Sequence, residues 1–201
     1  MLNLTQDLRD HAPEFLRDLS NLKFEQTDDG GLYFPASKMV ARGVYEHDVN
    51  GLDPQSDTNL LTTEGLTSLL AVYLGATAKY ANFYLALYAG AISPVNTWTA
   101  ANFTANASEI TSLTEGHSEA TRQEFVDSTA AAASINNTAS KAVFTIVTAT
   151  TLAVNGVGLL SSSVRGGTTG VLFSATRFAT ARSLSDADLF NIGYTVSLTS
   201  T

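Results

Sequence analysis

The C-terminal third of the chain constrains the fold most. Phe190, Ile192, Tyr194, Val196 and Leu198 alternate with Asn191, Gly193, Thr195, Ser197 and Thr199. An extended backbone turns successive side chains to opposite faces, so this period of two describes a strand with one face in a core and the other toward water. Residues 143–147, 152–160 and 171–178 read as three further strands ahead of it. Residues 163–170 hold three glycines and read as a hairpin loop, and 183–188 as the turn before the last strand. Strands joined directly by turns argue for an antiparallel sandwich or barrel rather than βαβ units.

A second informative stretch covers residues 62–89. Leu66, Leu69, Leu70, Tyr73 and Leu74 recur at helical spacing, Thr62 or Thr63 can cap the start with Glu64 in the first turn, and Gly75 is a C-terminal stop. A helix is expected over about 62–75. Phe83, Leu85 and Leu87 then alternate with Tyr84, Ala86 and Tyr88, a strand covered on both faces.

Toward the N-terminus, Leu4, Leu8, Phe15, Leu19 and Leu22 form an amphipathic stripe over 3–22, interrupted by Pro13. Such a stripe must be buried, on its own domain or on another subunit. Asp28-Asp29-Gly30-Gly31 separates two short extended segments as a hairpin turn, and 37–49 continues as a strand. The expected class is mainly β (α+β), an antiparallel β-sandwich or barrel with an N-terminal amphipathic helical segment and the internal helix. The division is an N-terminal arm over 1–40 and a β-rich core over 41–201, with a long excursion at about 91–141. Within that excursion, 104–142 is poor in large apolar groups and carries Glu109, Glu115, Glu119, Glu124 and Asp127. Long connections of this kind tend to be functional or ordered by a partner.

Charge narrows the function. Charged residues are 15 % of the chain, against roughly 25 % in ordinary soluble domains, while hydrophobic residues are 44 %. Small uncharged polar residues fill the gap, which suits extensive contact with neighbours because few charges need desolvating. The net charge is −8 and the 11 Lys and Arg residues are scattered, against direct nucleic-acid binding. Cysteine is absent, which excludes disulfides and thiolate metal sites. The N-terminal MLNLTQDLRD is too polar for a signal peptide, and no apolar run has the length of a membrane span, so a cytoplasmically made, non-membrane protein is expected.

Motifs for chemistry are weak. His11, His47 and His117 are not at zinc-ligand spacing, and there is no phosphate loop, GxSxG or dinucleotide fingerprint. Residues 47–59 read as a loop with a dense set of oxygen ligands, Asp48, Asn50, Asp53, Asp57 and Asn59. Its spacing lacks the Gly and Glu of a calcium loop, and Asp and Asn equally dominate ordinary turns. Glu115-Gly116-His117-Ser118-Glu119 groups triad-like residue types, but triads are assembled by folds rather than by adjacency. Gly156 and Gly158 sit inside a strand pattern, where glycine marks a bulge or the close approach of another group. No catalytic residue, cofactor or metal site is expected.

Several stretches together resemble one family: His47-Asp48-Val49-Asn50-Gly51, Asn59-Leu60-Leu61-Thr62-Thr63-Glu64-Gly65-Leu66, Phe83-Tyr84-Leu85-Ala86-Leu87-Tyr88, Glu119-Ala120-Thr121-Arg122, and Ala175-Thr176-Arg177-Phe178 with Arg182. Over roughly 42–200 the chain resembles small virion structural proteins of tailed bacteriophages. The resemblance implies an assembly part and no enzyme: first a capsid decoration (cement) protein on the virion surface, a homotrimer bound to the major capsid protein, and otherwise a tail, neck or fibre component. The expected partner-contact residues are Leu4, Leu8, Phe15, Trp98, Phe103 and Phe125. A carbohydrate-binding module for host attachment is a further alternative, with Trp98, Tyr80, Tyr84 and Tyr88 as stacking surfaces.

Overall fold

The computed structural model describes Pro13, Arg17 and residues 25–28, 30–34 and 39–200. The expected stripe over 3–22, including Leu4, Leu8 and Phe15, lies outside the described residues apart from Pro13 and Arg17. Strands β1 (Glu25–Gln26) and β2 (Leu32–Phe34) pair as the expected hairpin. β3 (Met39–Val49) follows, paired with β2 at its start.

The segment 47–59 is not a loop. Only Asn50 and Gly51 turn, both in the left-handed region (φ 54° and 76°), which Asn-Gly adopts readily in a two-residue hairpin. β4 (Leu52–Thr58) then runs back along β3. Its Asp-rich sequence and Pro54 suggested a loop because they suit an edge strand, which pairs on one side and faces solvent.

Next come β5 (Leu60–Leu61) and α1 (Thr63–Tyr73). Thr62 caps the helix by accepting the Gly65 N–H at 3.0 Å. Leu66 and Leu70 bury against Leu32, Ala41 and Leu61, whereas Tyr73 and Leu74 stay exposed, so only the first part of the apolar stripe is covered. The remaining elements are β6 (Tyr84–Tyr88), α2 (Ala100–Ala107), β7 (Gly116–His117), β8 (Gln123–Glu124), β9 (Ser134–Asn136), β10 (Ala142–Val147), β11 (Leu152–Leu160), β12 (Leu172–Leu184) and β13 (Leu189–Ser200). The third C-terminal strand is thus longer than its apolar pattern suggested, running through Arg182 to Leu184.

Among the described residues two antiparallel sheets result. One has the order β1-β2-β3-β13-β10-β7, with β4 added to β3 and β9 to β13; the other has the order β5-β12-β11-β6-β8. The fold is mainly β, with curled sheets that fit a sandwich or barrel-like description. The inner faces meet in one cluster: Tyr45, Phe144, Ile146, Phe190, Ile192 and Tyr194 from the first sheet, and Leu85, Leu87, Val154, Val157, Leu159, Phe178 and Leu184 from the second. Buried tyrosine hydroxyls need partners. Tyr45 Oη bonds Ser174 Oγ across the sheets (2.7 Å), Tyr194 Oη accepts from Asn59 Nδ2 (3.0 Å), and Tyr88 Oη donates to the Thr176 carbonyl (2.8 Å).

The outer face of the second sheet is covered by α2. Ala86, Tyr88, Leu160, Leu172 and Ala175 pack with Trp98, Ala100, Phe103 and Ala107. β6 is therefore covered on both faces, Leu85 and Leu87 on one and Ala86 and Tyr88 on the other. The two glycines of β11 make this layer possible. A Cβ on Gly158 would stand 2.6 Å from the Phe103 ring, and one on Gly156 would collide with the Tyr88 ring and the Thr176 carbonyl. Beside Gly156 the partner strand β12 is bulged, with residues 178–181 standing against Asn155 alone.

Gly158→Ala is expected to destabilise the chain by about 1–3 kcal/mol through overpacking. Combining it with Phe103→Leu should cost less than the sum of the two single losses. Urea unfolding of the wild type, both single variants and the double variant checks this, and strict additivity would show that the two sites do not touch.

Candidate functional site

The segment 91–141 is built around α2 and held by its own chain. The Asn102 side chain accepts the Thr99 N–H (2.9 Å), and Glu64, in the first turn of α1, accepts the Ala100 N–H (2.8 Å). A carboxylate at a helix start satisfies an otherwise free donor and opposes the positive end of the dipole. The same Glu64 oxygen accepts the Leu172 N–H (2.7 Å), joining α1, α2 and β12. After α2, Ser108 takes a left-handed conformation and the chain doubles back along β6, with Ile110 N–H donating to Leu87 O (2.9 Å).

Three of the acidic residues of this segment, Glu109, Glu115 and Glu119, act as internal fasteners. Glu109 and Arg122 form a buried two-pronged ion pair, Nε to Oε1 and Nη2 to Oε2, both 2.8 Å. Arg122 also donates to the carbonyls of Ser162 (3.1 Å) and Gly167 (3.0 Å), and Thr104 Oγ1 donates to Glu109 (2.7 Å). Arg165 reaches back from the β11–β12 loop and donates to the carbonyls of Ser112 (2.7 Å), His117 (3.1 Å), Ile110 and Glu119. Glu115 accepts from Thr148 Oγ1 (2.8 Å) and the Ala149 N–H (3.1 Å); Glu119 accepts the Thr145 N–H (3.0 Å). Asn137 accepts the Tyr194 N–H (2.6 Å) and donates to Ile192 O (3.3 Å). An excursion that composition marks as open to ordering by a partner is held by its own side chains and by Arg165 of the β11–β12 loop.

The triad-like run 115–119 does not assemble a nucleophile. His117 is buried edge-on against Phe144, with Nδ1 3.0 Å from Glu119 Oε2, while Ser118 Oγ bonds Glu119 Oε1 rather than the imidazole. Burial, reinforced by the Arg165 charge, pushes His117 down to about 4 despite Glu119. A general base needs a proton donor within reach of the free ring nitrogen, and Ser118 does not supply one.

Four of the five oxygen ligands of 47–59 are likewise occupied; Asn59 donates its Nδ2 to Tyr194, and its Oδ1 is buried without a hydrogen-bond partner. Asp48 accepts from Lys141 Nζ (2.9 Å), Asn191 Nδ2 (2.6 Å) and the Gly51 N–H (2.9 Å). Burial raises the Asp48 pKa, but these donors outweigh it and hold the carboxyl below its ordinary range. Asn50 bonds Asp188 and the Leu189 N–H (both 2.8 Å), Asp53 bonds Arg182, and Asp57 bonds His47 (2.9 Å) and the Ala179 N–H (2.7 Å). Among the described residues no group of three or more His, Asp or Glu is placed to hold a metal ion.

The expected contact aromatics turn inward. Trp98 (3 % exposed), Phe103 and Phe125 belong to the hydrophobic clusters, the first two edge-to-face with Tyr88 and with each other. They leave almost no surface for a partner, since the second sheet needs them to cover its outer face and close the core. Burial of Trp98 and Tyr88 also removes two of the four sugar-stacking rings, while Tyr80 and Tyr84 are half-buried. What the excursion does present is aliphatic: Ile92 (62 % exposed), Val95, Leu113 and Val126. Sequence reasoning passed over these because isolated aliphatics in a polar stretch carry no periodic signal.

No family model and no curated protein matches this chain. Among the described residues, no helix is long and apolar enough to cross a membrane.

Arg122→Met is expected to cost about 3–5 kcal/mol, because it leaves Glu109 as a buried, unpaired carboxylate. Adding Glu109→Gln removes that charge and should recover a large part of the loss. Urea denaturation of the wild type and the two variants reads the difference.

Proposed function

We propose that this chain is a structural subunit of a tailed-bacteriophage virion: a capsid decoration protein that binds the outside of the major capsid shell as a homotrimer and stabilises it. The family resemblance of residues 42–200 supplies the particle. The observation that supports a docking role is the excursion: a long segment fastened internally by Glu109–Arg122 and Arg165, with Ile92, Val95, Leu113 and Val126 left at its surface. A segment ordered before binding loses little conformational freedom on docking, so its apolar contacts act with small entropic cost. Three copies engaging neighbouring shell subunits would raise the effective affinity through multivalency. The low surface charge works in the same direction.

The contact set is therefore aliphatic, Ile92 and Val95 foremost, in place of the inward-facing Trp98, Phe103 and Phe125. The chain itself carries no part of a reaction in this reading.

Quantitative mass spectrometry of purified particles tests the proposal. A copy number close to that of the major capsid protein is the expected result. A few copies per hundred would move the subunit to the tail, neck or fibres, and absence from the particle would overturn a virion role. The double variant Ile92→Asp with Val95→Asp should lose shell occupancy in a rebinding assay while changing the free chain's stability by no more than about 0.5 kcal/mol, as befits surface positions.

A further inference from the structure

Two buried histidines fasten the two margins at which the sheets close on each other. His47, on β3, stacks on Phe178 of β12 with ring centroids 4.0 Å apart. Its Nε2 lies 2.9 Å from Asp57 Oδ2 on β4, and its Nδ1 lies 2.9 Å from Arg182 Nε on β12. A guanidinium nitrogen only donates. Nδ1 is therefore the acceptor, Nε2 carries the hydrogen, and the ring is neutral. A second proton would break the Arg182 bond and set an imidazolium against a guanidinium inside the fold. The surrounding anions are already engaged: Asp57 by Ala179, Asp53 by Arg182, and Asp48 by Lys141 and Asn191.

At the other margin, His117 of β7 is buried on Phe144 and faces Glu119 on its own segment. Arg165, from the β11–β12 loop, holds the His117 carbonyl, while Glu109 is engaged by Arg122. Thus each ring is buried, each sits beside an arginine from the opposite sheet or its loop, and each joins segments distant in sequence.

We propose that His47 and His117 together form an acid-operated latch. When both rings are protonated, β4 parts from β12 and the segment 108–127 parts from the β11–β12 loop, while the paired core of β11 and β12 stays closed. Burial lowers the affinity of both rings for protons, aided by Arg182 at His47 and Arg165 at His117, and outweighs the neighbouring carboxylates. The unfolded chain, with histidines near pKa 6.5, binds more protons below that pH than the folded chain does. The latch is thus fully closed above about pH 6.5 and weakens as pH falls toward the folded-state value, about 4 for His117.

Amide hydrogen exchange on the full chain at about pH 7.5 and about pH 4, corrected for intrinsic exchange rates, tests this. Protection at Arg122, whose N–H bonds Ser163 of the β11–β12 loop, and at Ala179, whose N–H bonds Asp57 of β4, should fall by about tenfold or more at the lower pH, and protection in the β11–β12 ladder should hold. In the His47→Gln/His117→Gln double variant the pH effect at those two amides should largely vanish, since a glutamine amide can accept from Arg182 and donate to Asp57 without ionising. Equal protection at both pH values in the wild type overturns the latch, as does a double variant that opens as fully as the wild type, for then carboxylates drive it. Should the double variant not fold, proton NMR titration of the wild-type rings decides: neutral rings at about pH 5.5 support the latch, and ordinary titration of either ring near about 6.5 overturns it.

Discussion

The buried Glu109–Arg122 pair is the interaction on which the arrangement of the excursion depends. Two charges taken out of water are costly unless geometry and additional hydrogen bonds compensate. Here both guanidinium edges and both carboxylate oxygens are used, with Thr104, Ser162 and Gly167 completing the set. That completeness fixes the C-terminal end of α2, the segment leading to β8 and the β11–β12 loop in one geometry. A looser arrangement would leave an unpaired buried charge, so intermediate positions of the excursion are disfavoured. The few charges in this chain act as specific internal fasteners more than as a solvating coat.

Packing supplies the other half. β6 and β11 are covered on both faces, and the outer layer is an aromatic group of Tyr88, Trp98 and Phe103 in edge-to-face contact. This layer requires that β11 carry no side chain beneath the rings, which Gly156 and Gly158 satisfy. It also explains why the excursion's large aromatic residues do not reach the surface. They close the sheet from outside, and the surface role falls to aliphatic residues at the rim.

The same economy of charge appears at the β3–β4 hairpin. Asp48, Asp53 and Asp57 each meet a cation or a backbone N–H distant in sequence, so a cluster that resembles a ligand set in one dimension is divided in three between an Asp48–Lys141 pair and a chain running Asp53–Arg182–His47–Asp57. His47 stands among them as a neutral hydrogen-bond relay between Asp57 and Arg182.

The sequence alone determined the β class, the last strand's buried face, a threonine cap at Thr62 or Thr63 and the double-sided burial of β6. These follow from periodicities and short-range capping, in which cause and effect lie within a few residues. It misjudged the 47–59 segment because edge strands and loops share a polar, proline-tolerant composition, and it ended the strand before Arg182 early because a bulged stretch breaks alternation. Tertiary structure decided which way Trp98, Phe103 and Phe125 face, and which acids are fasteners. Glu109 pairs 13 residues away and Arg182 meets His47 135 residues away. Nothing local marks such partners, because only the closing of the two sheets brings them within bonding distance.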